Sequence, residues 1–176
     1  NRVQEMTEKL AQHAYDGAPL HFIGHLQRNK VKQVVGKAAL IQSVGSEALL
    51  AEIEKTAEKL ELVQNILLEV NIGGEESKSG FTPEEIFAAA EKARALPHVQ
   101  VQGLMSIPPV ETVPHGNLPY FEQMYRLYVD INEKIYDNEL KYISMGMSGD
   151  FADAIRAGSN MIRVGTAIFG ARNYTR

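Results

Sequence analysis

Six strand-like segments, each separated from the next by a helix-like one, predict an α/β fold of parallel strands joined by right-handed crossovers. Six units fit either a doubly wound open sheet or a (β/α)8 TIM-type barrel lacking two units. A second observation favours the barrel. Ile143-Ser-Met-Gly-Met-Ser148 and Met161-Ile-Arg163-Val-Gly165-Thr166 each end an apolar run in small residues and hydroxyls. An anion needs free N–H groups, Ser or Thr oxygens and no Cβ in the way. In barrels a phosphate site frequently forms after the last two strands, where both segments lie. Arg163 precedes Gly165 by two, so along a strand they share a face and a guanidinium would point toward the anion. The plainer alternative is two buried strands with tight turns.

In chain order, Val3 to Tyr15 is a helix, with Val3, Met6, Leu10 and Ala14 at helical spacing and Gly17-Ala-Pro19 as its stop. His21–Gly24 is a short strand, and Arg28 to Gly36 a short basic helix. Ala39–Val44 is a strand, and Ser46 caps a helix to about Leu60. Asn65–Ile72 is a nearly continuous apolar strand. Thr82-Pro83-Glu84-Glu85 opens a helix as a capping box with Pro at its first position, ending near Pro97. Val99–Ile107 is a strand stopped by Pro108-Pro109. A long helix covers about Leu118 to Tyr136. The last two strands flank a helix from about Asp150 to Ala157, closed by Gly158. No linker, repeat or low-complexity tract divides the chain, so residues 1–176 read as one domain.

The 176 residues suffice for one sizeable core, and 44% hydrophobic with 23% charged residues is ordinary for a globular protein. Net charge −4 argues against a general nucleic-acid or anionic-membrane binder. Without cysteine there is no disulfide, thiolate nucleophile or Cys-based zinc site. No apolar run approaches the roughly 20 residues of a membrane span, and no signal-like start is seen, so the expected location is cytoplasmic.

His21-Phe-Ile-Gly24 with Leu26-Gln27 and Asn29-Lys30, Glu76-Ser-Lys78-Ser-Gly80, Gly103-Leu-Met, Ser144–Ser148 and Arg163–Gly170 together resemble the pyridoxal phosphate homeostasis protein family. The similarity covers essentially the whole chain. It implies a single-domain barrel like the N-terminal domain of alanine racemase, binding pyridoxal 5′-phosphate (PLP) and influencing its cellular level without established turnover. It further implies that Ser148, Gly165 and Thr166 hold the phosphate and that Arg163 donates to the pyridine nitrogen. Ser144, Met145, Gly146 and Met147 would line that side of the pocket, and Ile23 is counted among the cofactor-binding residues. Asn1 resembles the last residue of the family's Phe-Gly-Glu-Asn motif, which would make it a neighbour of the ring. The family's Schiff-base lysine would lie upstream of Asn1. The first strand–helix unit and most of the second, on the order of 50 residues, are then expected to be missing here. PLP-dependent apoenzymes are the implied recipients, with no nucleic acid or membrane, and the protein a monomer or weak dimer.

A guanidinium only donates and stays protonated, so a pyridine nitrogen facing Arg163 must accept and cannot carry a proton. An unprotonated pyridine is a poor electron sink. The alternative for Arg163 is a carboxylate partner across the barrel. Asp150 is expected to cap the helix it starts. His21 and His25 straddle a strand end and lose the helical i, i+4 geometry of a metal pair, so no metal is expected. The cations Arg28, Lys30, Lys32 and Lys37 form a solvated face or a surface for an acidic partner. Lys78, on the Gly-rich loop, stabilises that loop or reaches the pocket mouth. Tyr125 and Tyr128 read as packing residues.

The leading function is a non-catalytic PLP-binding protein. An amino-acid racemase of the same fold is the first alternative, but it needs a base on each face of the cofactor. The second alternative is a regulatory interaction module using the basic helix.

Overall fold

A computed structural model describes residues 1–75 and 78–170. Glu76 and Ser77 of the Gly-rich loop motif, and residues 171–176, lie outside the described residues. The elements run α1 (Val3–Ala11), β1 (His21–Phe22), a 3-10 helix (Arg28–Gln33), β2 (Leu40–Val44), α2 (Glu47–Lys59) and β3 (Gln64–Val70). They continue with α3 (Ile86–Arg94), β4 (Val99–Ser106), α4 (Leu118–Lys134), β5 (Tyr142–Met147), α5 (Phe151–Arg156), β6 (Met161–Arg163) and α6 (Thr166–Phe169). All six strands are parallel and lie in sequence order β1-β2-β3-β4-β5-β6. Consecutive order without reversal belongs to a curled barrel sheet; a doubly wound sheet would reverse its strand order.

Strand alternation separates two faces. One packs against the helices through Ile41, Ile66, Leu68, Leu104, Ile143 and Met145, together with helix residues such as Leu50, Ile53, Ala90 and Met124. The other forms a small separate cluster of Leu40, Leu67 and Met105 with Ile107, Tyr142 and Met161. One pleat further along four of the strands, toward their C-terminal ends, Leu40 is followed by Gln42, Leu67 by Glu69, Tyr142 by Ser144 and Met161 by Arg163. The barrel interior thus changes from apolar to polar as it nears the rim where all parallel strands end. That gradient positions the site.

Local signals account for most boundaries. Ser46 Oγ accepts the Leu49 N–H at 3.3 Å. Thr82 and Glu85 exchange side chain-to-backbone bonds at 3.0 and 3.2 Å, the reciprocal box expected, although the regular helix begins only at Ile86. Several expected boundaries differ. α1 stops at Ala11 because the chain passes through left-handed residues His13 (φ 54°) and Asp16 (φ 45°) before Gly17. The basic segment is a 3-10 helix, pinned by fully buried Val31 and Val34. Asp150 occupies the N-cap position of α5 without a side-chain bond to that helix; its carboxylate turns back to β5. After Arg163 the chain enters the four-residue helix α6, which the apolar run had concealed. No helix among the described residues is long and apolar enough to cross a membrane.

Candidate functional site

The ends of β5 and β6 bring together what the sequence had placed seventeen residues apart. Ser148 Oγ accepts the N–H of Gly165 at 3.2 Å and that of Ala167 at 3.3 Å. Two amides at the start of α6 therefore converge on one oxygen, with Thr166 between them. Converging backbone amides are the kind of donor set that can hold an anionic oxygen. Gly165, Thr166 and Ser148 are at least partly open to solvent, so a ligand can reach them.

Behind this cradle lies Arg163, 9% exposed. Its Nη1 donates to Ser144 Oγ at 2.6 Å and its Nη2 to the Ser106 carbonyl at 2.8 Å. Burial pulls its pKa down to about 10, opposed by the charges of Asp150 and Glu69, so it is cationic at neutral pH. No carboxylate among the described residues forms an ion pair with it. The polar chain then runs inward with a fixed direction. Ser144 Oγ donates to Gln42 Oε1 at 2.7 Å, and Gln42 Nε2 faces His21 Nδ1 at 3.1 Å. An amide can only donate there, so His21 Nδ1 accepts and is unprotonated; burial lowers the ring's pKa in agreement. His21 is thus the end of a hydrogen-bond chain, and the described residues contain no group of His, Asp and Glu arranged for a metal.

Asp150 braces the cradle from outside. Its Oδ1 accepts the Met147 N–H at 2.7 Å and its Oδ2 accepts from Asn117 Nδ2 at 2.8 Å, tying the turn that carries Ser148 to the loop before α4. His115, on the same loop, meets Asp153 at 2.7 Å. On the opposite side, Ile23, His25, Ser43, Glu69, Lys78 and Ile107 line a cavity of about 250 Å³. Burial raises the pKa of Glu69, opposed by Arg163. Lys78 pairs with Glu75 and donates to the Pro108 carbonyl at 3.3 Å, which makes it a brace for its loop. Asn1 lies against the end of β1: its carbonyl oxygen would be 1.8 Å from any Cβ at position 24, so only glycine admits it.

Ser144, Arg163, Ser148, Gly165 and Thr166 thus lie along the ends of β5 and β6, and Ile23 and Asn1 at the end of β1. The Met145 side chain is fully buried in the core on the helix face, so Met145 can line the pocket only through its backbone. Gly146 is buried against Ala154, and Met147 is 43% exposed, its N–H already held by Asp150. Sequence reasoning missed Gln42, Glu69 and Asn117. For the first two the signal existed: a polar residue inside the apolar strands Leu40–Val44 and Gln64–Val70. Nothing local marks Asn117.

Residues 1–173 match the model of the alanine racemase N-terminal domain family. The chain is 44% identical over 174 residues to the pyridoxal phosphate homeostasis protein of Aquifex aeolicus, covering 99% of this chain and 76% of the relative. The PLP-bound structure of PipY from Synechococcus elongatus superposes with a TM-score of 0.84 at 30% identity, over 97% of this chain and 79% of PipY. Alanine racemase from Corynebacterium glutamicum shares the fold alone, with a TM-score of 0.70 at 14% identity over 99% of this chain and 47% of that one. A buried arginine held by serine hydroxyl and carbonyl, a serine-and-amide cradle beside it and this extent of identity agree: the chain belongs to the pyridoxal phosphate homeostasis protein family, within the wider family of the alanine racemase N-terminal domain.

Proposed function

We propose that this protein binds pyridoxal 5′-phosphate without turning over a substrate and serves PLP homeostasis by holding it for PLP-dependent apoenzymes. The observation that carries this function is the convergence of the Gly165 and Ala167 amides on Ser148 Oγ beside a buried, cationic Arg163 that has no carboxylate partner within ion-pair distance among the described residues. This donor set suits PLP: an anionic phosphate at one end, an accepting nitrogen at the other. Ser148, Gly165 and Thr166 would hold the phosphate, with Asp150 fixing the turn that presents Ser148. Arg163 would face the pyridine nitrogen, held in place by Ser144 and the Ser106 carbonyl. Ile23 and Asn1 would flank the ring, with the backbone from Met145 to Met147 forming the opposite wall.

PLP supplies an electron sink, and a partner that only donates to its nitrogen weakens it. Arg163 keeps its proton throughout the neutral range and cannot pass one to the ring. The relatives from Aquifex aeolicus and Pasteurella multocida, 44% and 37% identical, carry the homeostasis name, and PipY, 30% identical, has a structure with PLP bound, whereas the likeness to racemases is one of fold alone. Titration with PLP, followed by absorbance, should show saturable binding that inorganic phosphate competes away. Binding indifferent to phosphate would remove the cradle from the proposal. Loss of optical activity from L-alanine at about 1 s⁻¹ or faster would overturn the non-catalytic part, since that is an ordinary enzymatic rate.

A further inference from the structure

Four polar side chains of the barrel interior come from four different strands and are joined end to end: His21 on β1, Gln42 on β2, Ser144 on β5 and Arg163 on β6. β2 and β5 are not neighbours in the sheet, since β3 and β4 lie between them. Gln42 therefore reaches across the curl, to a residue 102 positions later, from a strand whose every residue is buried. It is 2% exposed, and Ser144 is fully buried. A buried amide costs stability unless both of its ends are satisfied. Here both are. Oε1 accepts the Ser144 hydroxyl at 2.7 Å, and Nε2 meets His21 Nδ1 at 3.1 Å and Met161 Sδ at 3.2 Å.

The amide is not free to reverse. A thioether sulfur only accepts, so an amide oxygen turned toward Met161 would face lone pairs. Oε1 must then face Ser144, and the Ser144 hydroxyl hydrogen is committed to it. What remains on Ser144 Oγ is lone pairs, to which Arg163 Nη1 donates at 2.6 Å, while Nη2 donates to the Ser106 carbonyl at 2.8 Å. Two anchored donors fix the plane of a guanidinium, and its other donors form no hydrogen bond among the described residues. Without the Gln42 acceptor, the Ser144 hydroxyl could turn its hydrogen toward Arg163, and one of the two anchors would be lost.

We propose that Gln42 is a positioning residue for the ring end of the site: acting through Ser144, it holds Arg163 in the plane that presents its free donors to an accepting ring nitrogen. The ligand in that statement rests on the function proposed above; the relay itself rests on hydrogen bonds and burial alone. Gln42 touches no ligand in this role. It sets the direction of one hydroxyl, and that hydroxyl sets the arginine. His21 completes the relay from the other end, since its unprotonated Nδ1 is the acceptor that keeps the Gln42 NH2 group turned away from Ser144.

Nuclear magnetic resonance of the ligand-free chain, labelled with nitrogen-15 at histidine and arginine, tests the relay by itself. Near neutral pH His21 Nδ1 should give the signal of an unprotonated nitrogen, and Arg163 the separate Nη signals of a guanidinium that does not rotate freely. In Gln42→Leu, which keeps the bulk without the amide, the Arg163 signals should merge. A wild-type His21 protonated at Nδ1, or Arg163 signals unchanged in Gln42→Leu, would overturn the proposal. Titration with PLP then tests the consequence. Gln42→Leu should raise the PLP dissociation constant about tenfold and leave that of inorganic phosphate within about twofold, because the Ser148 cradle is untouched. With a PLP analogue carrying C–H in place of the ring nitrogen, wild type and variant should bind alike. An equal loss for PLP and for the analogue would mark Gln42 as merely structural and overturn the proposal. Gln42→Glu keeps the acceptor that Ser144 needs and serves if Gln42→Leu fails to fold. It should retain the separate Arg163 signals and move a proton onto His21 Nδ1, and merged Arg163 signals in it would likewise overturn the relay. If the wild type takes no PLP while the nitrogen-15 signals behave as stated, the functional proposal falls and the positioning of Arg163 stands.

Discussion

The two sides of the site are built by different physics. The β5–β6 side is made of backbone amides and a short hydroxyl within four residues of strand ends, so the chain need only stop each strand correctly to create it. The β1–β3 side is made by packing of distant backbone. There the segment Lys78–Phe81 runs beside β3, with Phe81 N–H donating to the Glu69 carbonyl at 2.8 Å and Asn71 N–H to the Phe81 carbonyl at 2.9 Å. Gly80 fits between Gly45 and Asn71: its N lies 2.7 Å from where a Gly45 Cβ would be. One side is thus specified by local chemistry and tolerates change at the level of single hydrogen bonds. The other is specified by steric fit, where one added carbon meets backbone.

The largest effect should therefore fall on the packed side. Gly80→Ala would place a Cβ 2.5 Å from the Asn71 nitrogen at φ +123°. A clash with backbone in a left-handed conformation should cost about 3 kcal/mol, read by chemical denaturation. If stability is unchanged, the contrast between the two sides is wrong.

Asp150→Ala should come next, at about 2 kcal/mol, because the Met147 amide and Asn117 lose a charged acceptor together. The same variant should weaken PLP binding through Ser148, whereas Gly80→Ala should act mainly on stability; comparing the two separates brace from wall.

Ser148→Ala should lower stability by less than about 1 kcal/mol yet raise the PLP dissociation constant about tenfold, equivalent to about 1.4 kcal/mol. Unchanged PLP affinity would show that the amides alone hold the phosphate.

Glu69→Gln should give the smallest change and sharpen the comparison by its pH dependence. Burial raises the folded pKa of Glu69 above its ordinary value, so its ionised form disfavours the folded state once the pH passes the unfolded value. The substitution should produce a small gain in stability near pH 7.5 that disappears near pH 4. Denaturation midpoints at both values check it, and a loss at pH 7.5 would mean that the attraction between Glu69 and Arg163 outweighs burial.

The elements of the site were unequally legible. Ser148, Arg163, Gly165 and Thr166 could be read directly, because small residues and hydroxyls at the end of an apolar run leave donors exposed whichever barrel they belong to. The caps of α2 and α3 were legible for the same reason: Ser46 and the Thr82–Glu85 box act over three residues. The role of Asp150 was not, since its choice between its own helix and the Met147 amide depends on where Asn117, 33 residues earlier, comes to rest. That the Met145 side chain faces the helices was not legible either, since its orientation follows from strand alternation and register. α6 was hidden because Ala167-Ile-Phe169 has no periodicity long enough to tell helix from strand.

By itself, then, the sequence determined the succession of six strands and their crossovers, the apolar face of α1, and the small residues and hydroxyls at the ends of β5 and β6. Each is set by interactions within a few residues or by a repeating pattern. Only the tertiary structure decided that Leu40, Leu67 and Met105 stack below a polar layer of Gln42, Glu69, Ser144 and Arg163, that Arg163 finds a serine and a carbonyl, and that Gly80 and Gly24 admit neighbouring backbone. Those outcomes depend on which strands lie side by side and in what register, and a one-residue slip would turn each inward side chain to the other face.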